Sequence, residues 1–112
     1  MKISPVKDFE SKKNPHNVDS RVVYSTEKAM VVHIMLKPGE ALRRHITPVD
    51  VAFYVLEGRG TIEIGDEKAE ARPDTVVESP ARIPHRWINN GPGNLRVLVM
   101  KLPRPNEDTI VL

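Results

Sequence analysis

Proline is the sequence feature that most limits how this chain can fold. Ten prolines are spread from Pro5 to Pro105 over 112 residues, so almost no stretch is long enough for an uninterrupted helix. Between them lie short segments rich in Val, Ile and aromatic residues, a composition that favours strands. The predicted strand segments are Arg21–Ser25, Met30–Leu36, Val49–Leu56, Thr61–Ile64, Lys68–Ala71, Thr75–Ser79, Arg86–Ile88 and Leu95–Leu102.

About eight short strands in one small chain predict an all-β antiparallel sandwich or barrel. Gly65-Asp66 separates TIEI from EKAEA, which fits a two-residue hairpin turn with positive φ at the glycine. Residues 1–20 are polar and predict an N-terminal arm with a short strand near Val6. The barrel domain is predicted at 21–102 and a C-terminal tail at 103–112.

Composition excludes several classes of protein. A length of 112 residues suits one domain, and the absence of cysteine excludes disulfide scaffolds, thiolate zinc sites and thiol nucleophiles. No apolar run approaches the roughly 18 residues of a membrane-spanning helix, and the N-terminus lacks a signal-peptide core, which predicts a cytoplasmic protein. A net charge of +2 is too small to indicate nucleic-acid binding. Glutamine is absent while Glu, Lys and Arg are plentiful, a composition that resembles thermophile proteins.

Two predicted strands, AMVVHIML and VAFYVL, are apolar on both faces. A strand with one solvated face alternates apolar and polar residues, so both segments are expected to be covered on both sides. One face would line the barrel and the other would meet a second copy, which predicts a homodimer. The alternative is that the arm and the tail supply the cover.

Two motifs, one between Pro38 and Gly60 and one between Ser79 and Asn90, resemble those of the cupin superfamily. YVLEGRG, followed by a hairpin and then by P-x-x-x-P-H-x-x-x-N, is specific in combination. The matching residues are Gly39, His45 and Gly58 in the first motif and Pro80, His85 and Asn89 in the second. Asp74 and Arg82 replace two glycines of the second motif. The resemblance covers about Met30 to Leu102 and implies a double-stranded β-helix (jelly-roll) barrel.

The resemblance also implies a metal site, which this chain retains only in part. The family's four ligand positions fall on His45, Thr47, Val51 and His85, and Val51 cannot coordinate a metal. Asp50 is the candidate third donor, because a bulge at Pro48 would turn it inward. The resulting set of His45, Asp50 and His85 suits a divalent Mn, Fe, Ni or Zn ion. Alternatively, Asp50 is an exposed residue that pairs with Arg43 or Arg44.

Arginines flank both pocket histidines in the sequence. Arg43 and Arg44 precede His45, while Arg82 and Arg86 lie on either side of His85. Arginine binds carboxylate and phosphate groups through two parallel hydrogen bonds, so the pocket is predicted to hold a small anion. The predicted ligand-binding residues are Arg43, Thr47, Arg82 and Asn89. The alternative is that these arginines form surface ion pairs and that Asn89 holds a loop.

Three hypotheses for function follow. The first is a small cupin that binds a divalent metal and a small anionic molecule. The second is a metal-free module in which His45 and His85 donate hydrogen bonds to a small acid and Thr47 is a neutral partner. The third is a structural dimer whose barrel is filled by Val51, Phe53 and Val55. No catalytic residue is assigned, and the sequence leaves open whether the protein is an enzyme. His33 is expected to be a core histidine, and His16 to be solvated in the arm.

Overall fold

A computed structural model describes all residues, 1–112, and contains ten strands and one short 3-10 helix at Val6–Asp8. The strands are β1 Asp19–Thr26, β2 Ala29–Leu36, β3 His45–Ile46, β4 Asp50–Glu57, β5 Gly60–Ile64, β6 Glu67–Ala71, β7 Val76–Ser79, β8 His85–Ile88, β9 Leu95–Leu102 and β10 Ile110–Val111. No helix is long and apolar enough to cross a membrane.

The strands form two antiparallel five-stranded sheets, which confirms the predicted jelly-roll class. One sheet has the order β1-β2-β9-β4-β7 and the other β10-β3-β8-β5-β6. Consecutive strands therefore often lie in different sheets, and residues distant in sequence meet across the barrel. Gly65 has φ +57° in the turn between β5 and β6, as the hairpin prediction requires.

The core lies between the sheets, and buried residues alternate with half-buried ones along β4 and β9. On β4, Val51, Phe53 and Val55 are buried, whereas the residues between them are half-buried. On β9, Leu95, Val97 and Val99 point inward in the same way. Since residues of one parity share a face, the next odd-numbered residue of β9, Lys101, belongs to the inward set.

All eight predicted strands are present with small shifts at their ends, but two short strands were not predicted. These are β3 and β10, each two residues long, which pair with each other. A segment of two residues carries no measurable periodicity, so the sequence pattern could not indicate it. The short strand predicted near Val6 is wrong, because Val6–Asp8 forms a 3-10 helix.

The N-terminal segment covers part of the outer face of the first sheet. The Arg21 guanidinium donates hydrogen bonds to the carbonyl oxygens of Lys7 and Phe9, which ties this segment to β1. Phe9 borders an outer groove together with Val31 and Leu98, whose side chains are half-buried. The chain itself therefore supplies some of the cover that the two-faced apolar strands require. The homodimer stays a prediction.

Gly58, the last residue of the first motif, provides a test of the fold. Its φ is +79°, and a Cβ atom there would lie 2.2 Å from the carbonyl oxygen of Asn94. We expect Gly58→Ala to lower the free energy of unfolding by about 2 kcal/mol or more, because strain and overlap add. Gly93→Ala is the control: no atom lies within 4 Å of its Cβ position. Equal denaturation midpoints for the two variants would contradict this account.

Candidate functional site

The two histidines of the cupin-like motifs meet across the second sheet. His45 on β3 is the direct cross-strand partner of His85 on β8, and their ring centroids are 4.5 Å apart. The C-terminal tail holds β3 in place, because Val111 pairs with His45 and the Leu112 N–H donates to the carbonyl oxygen of Arg44. The tail thus takes part in positioning the site.

His85 is fixed by two buried hydroxyl groups. The Ser79 hydroxyl lies 2.7 Å from Nδ1 and the Thr47 hydroxyl lies 3.3 Å from Nε2, with all three residues about 2% exposed. A neutral imidazole has one N–H and one lone pair, so one hydroxyl accepts and the other donates. The Phe53 ring packs edge-on against His85 at 5.3 Å. Both nitrogens of His85 are therefore occupied by protein partners.

The N-terminal arm adds a third histidine, which was predicted to be solvated. His16 packs on His45 with ring centroids 4.8 Å apart, and its Nδ1 accepts the Arg43 backbone N–H at 2.8 Å. The prediction that His16 is solvated is therefore wrong. Asn14 shapes this turn: its side-chain oxygen accepts the His16 N–H, and its amide donates to the Val18 carbonyl. This local turn brings His16 from the N-terminal arm to the pocket.

The backbone of Arg43 sets the tautomers of the two outer histidines. Its N–H donates to His16 Nδ1, so neutral His16 carries its proton on Nε2. Its carbonyl oxygen lies 2.8 Å from His45 Nδ1 and can only accept, so neutral His45 keeps a free lone pair on Nε2. One histidine thus offers a donor to a ligand and the other an acceptor.

Lys101 supplies a fourth basic group, which was not among the predicted site residues. It follows the inward series of β9 and lies directly opposite Val51 on β4. It takes part in none of the ion pairs of the protein. Its odd-numbered position after Leu95, Val97 and Val99 was the signal that could have found it.

These basic residues surround a cavity of about 90 Å³ inside the barrel. No aspartate or glutamate lines it. The lining residues are Asn14, His16, Val18, Ser20, Val32, Ile34, Leu42, His45, Thr47, Phe53, His85, Val99 and Lys101. At roughly 30 Å³ per water molecule, the space admits a group of only a few non-hydrogen atoms.

Burial keeps the histidines of the cavity neutral. Desolvation, followed by the positive charges of neighbours such as His45 and Lys101, lowers the pKa of His16 to about 4 and that of His85 to about 3. Burial also lowers the pKa of His45, although its hydrogen bond to the Arg43 carbonyl opposes this. Desolvation lowers the pKa of Lys101. No acidic residue offsets the loss of water around these groups.

The residues at the family's metal-ligand positions do not fit a divalent ion. Thr47 is hydrogen-bonded to His85, and Val51 is buried without a donor atom. Asp50 does not turn inward, contrary to the bulge hypothesis: it is exposed, and its Oδ1 accepts the Ala81 N–H at 2.8 Å. The structure brings His45 and His85 together but leaves Asp50 outside, and no three His, Cys, Asp or Glu side chains are placed so that they could hold a metal ion.

Of the four predicted ligand-binding residues, only Thr47 lines the cavity. Arg43 is exposed and contributes its backbone to the site, not its guanidinium. Arg82 is exposed with φ +66°, and its guanidinium pairs with Glu107 at 3.4 Å. Asn89 is fully buried, and its amide donates to the carbonyl oxygens of Leu36 and Gly93. The structure thus places Asn89 in loop support and the arginines outside the pocket.

The remaining two arginines form surface ion pairs, as the alternative interpretation predicts, and His33 is buried. Arg44 and Arg86 both pair with Glu63, at 3.8 and 2.7 Å, on the outside of the second sheet. His33 is buried on β2, accepts the Arg96 Nε–H at 3.1 Å and does not line the cavity. The cation beside the pocket histidines is therefore Lys101 and not an arginine.

The fold and the pocket between its two sheets define a small cupin domain. The family profile described as "Cupin domain" matches residues 32–101, and the chain belongs to this family.

Similar proteins are found in several organisms. The uncharacterized protein MJ1618 of Methanocaldococcus jannaschii is 33% identical over 93 residues, which cover 80% of this chain and 74% of that protein. The crystal structure of TT1209 from Thermus thermophilus matches with a TM-score of 0.80 and 29% identity, covering 94% of this chain and all of that one. The polyketide cyclase RemF from Streptomyces resistomycificus has a TM-score of 0.84 at 17% identity, covering 100% and 85% of the two chains, and shows the fold alone.

Proposed function

We propose that this cupin binds a small carboxylate in its barrel without a metal ion. The observation that carries the proposal is the lining of the cavity, which combines Lys101 and three histidines with no carboxylate. The buried side-chain nitrogens that lack a hydrogen-bond partner are His33 Nδ1 and Trp87 Nε1, so the unpaired nitrogens of His16, His45 and Lys101 are not shut off from solvent. They are available to a ligand.

The charge of the cavity selects for an anion. A lysine ammonium without a counter-ion in a partly desolvated site attracts a carboxylate more strongly than it would in water. The His16 Nε2–H is a second donor of the kind that a carboxylate oxygen accepts. The cavity, about 90 Å³, lies well below the roughly 300–1,000 Å³ of drug-sized ligand pockets, so the ligand has few atoms.

Isothermal titration calorimetry with acetate and pyruvate tests this function. We expect saturable binding to the wild-type protein and roughly 10- to 100-fold weaker binding to Lys101→Met, because a charged hydrogen bond is lost. Lys68→Met is the matched control, since the Lys68 side chain is 67% exposed on the outer surface. No saturable binding of any small carboxylate to the wild type would overturn the proposal.

Metal binding is the competing hypothesis, because cupins often bind transition metals. It would use His45 and His85 with Mn, Fe, Ni or Zn, and elemental analysis of untagged protein separates the two. Stoichiometric metal that disappears in His45→Ala would favour a metal-dependent activity. The polar cavity argues against the third hypothesis, a structural dimer with a filled barrel, because Thr47 and Lys101 border open space there.

A further inference from the structure

Three properties of Lys101 point to a chemical role beyond the binding of an anion. It lines the barrel cavity, its amine has no ion-pair partner, and its direct cross-strand neighbour on β4 is the apolar Val51. Because Val51 is opposite Lys101 and no carboxylate lines the cavity, the amine has no acid beside it to hold its proton.

A half-buried lysine without a counter-ion is a candidate nucleophile. Desolvation lowers the pKa of Lys101, which increases the fraction of free amine. Lysines in such surroundings form Schiff bases with carbonyl compounds. His45 lines the same cavity and has a free Nε2 lone pair that can accept a proton from the attacking amine.

We propose that Lys101 forms a Schiff base with a small 2-oxo acid held in the barrel cavity. The inference rests on the proposed carboxylate site: the His16 Nε2–H would hold the acid group, and the free-amine form of Lys101 would attack the adjacent carbonyl carbon. The small cavity favours a compact molecule in which the two groups are neighbours.

The reaction is balanced without an oxidant or a reductant. The Lys101 nitrogen attacks the carbonyl carbon, a C–N bond forms, and the π electrons of the C=O bond move to oxygen. His45 Nε2 takes one N–H proton and delivers it to that oxygen, which gives the carbinolamine. The second N–H proton follows to the hydroxyl group, water leaves and the C=N bond forms. The 2-oxo acid and the amine thus yield an imine and one water molecule.

Reductive trapping tests this inference. The full-length protein is incubated with pyruvate or glyoxylate and sodium cyanoborohydride, and the adduct is located by peptide mass spectrometry. We expect one reduced adduct on Lys101, at least about tenfold above that on any exposed lysine, because the bound ligand raises the local carbonyl concentration. An excess of acetate should suppress it by occupying the site.

Two variants distinguish the role of Lys101 as a nucleophile from its role as a positive charge. Lys101→Arg keeps a positive charge but should lose the adduct, because a guanidinium stays protonated and does not attack a carbonyl carbon. Val51→Glu should also suppress the adduct, because the carboxylate opposite Lys101 holds the amine protonated. Lys68→Arg should leave it unchanged.

The outcomes distinguish the inference from the function on which it rests. If pyruvate binds in calorimetry but the adducts are spread evenly over the exposed lysines, the Schiff base on Lys101 is wrong. The carboxylate site is then still supported. Failure of all carboxylates to bind overturns the proposed function. Peptide mapping of the wild-type protein shows whether Lys101 carries the adduct, even if a variant does not fold.

Discussion

The double variant Thr47→His/Val51→Glu is expected to bind about one divalent transition-metal ion per chain. Thr47 and Val51 are both buried at the positions where the cupin pattern places ligands, beside the paired histidines 45 and 85. The substitutions would complete a set of three imidazoles and one carboxylate, which suits Mn, Fe, Ni or Zn. Equilibrium dialysis followed by elemental analysis measures the gain.

The wild-type protein and Asp50→Asn provide the comparison for this experiment. Asp50 is exposed and caps the Ala81 N–H, so its replacement should leave the metal content of both backgrounds unchanged. A wild-type protein that holds stoichiometric metal and loses it in Asp50→Asn would contradict the geometry described here. It would mean that Asp50 turns inward when an ion is present.

Acid should destabilise this protein strongly between about pH 6.5 and pH 4. Burial lowers the pKa of His16 to about 4 and that of His85 to about 3, below the ordinary value of 6.5. The unfolded chain therefore takes up protons first as the pH falls, and stability is lost through this window. For His85 the loss is on the order of 3–5 kcal/mol at its lower end, a large part of the roughly 5–15 kcal/mol of a typical domain.

Chemical denaturation at several pH values measures this effect. We expect the midpoint to be flat above pH 7 and to fall steeply below pH 6. His85→Gln should flatten the profile without abolishing it, since the pKa values of His16, His33 and His45 are also lowered. A profile that stays flat down to pH 4 in the wild type would show that these histidines protonate freely in the folded state.

Much of the fold could be predicted because its signals are local. The β-branched and aromatic composition of the strand segments, the Gly65 turn and the spacing of the two motifs all depend on residues near one another in sequence. The resemblance to the cupin motifs implied that Thr47 and Val51 are pocket positions, and the structure buries both. The two-residue strands β3 and β10 could not be predicted, because their pairing depends on a partner more than sixty residues away.

The composition of the pocket was predicted less well, since distance in sequence does not report distance in space. Arginines that flank His45 and His85 in the chain point outward to Glu63 and Glu107. His16 and Lys101, which come from the two ends of the chain, instead line the cavity. A polar arm offers no periodicity from which the position of one histidine could be inferred.

The sequence by itself determined the class of fold, because short strand segments and turn residues are local signals. Its resemblance to the cupin motifs implied that His45 and His85 share the pocket and that two ligand positions of the family are lost. Only the tertiary structure decided that Asp50 stays outside, that His16 closes on His45 and that Lys101 is the cation of the cavity. Those contacts join segments that are far apart in the chain, and their geometry depends on how the two sheets close around the core.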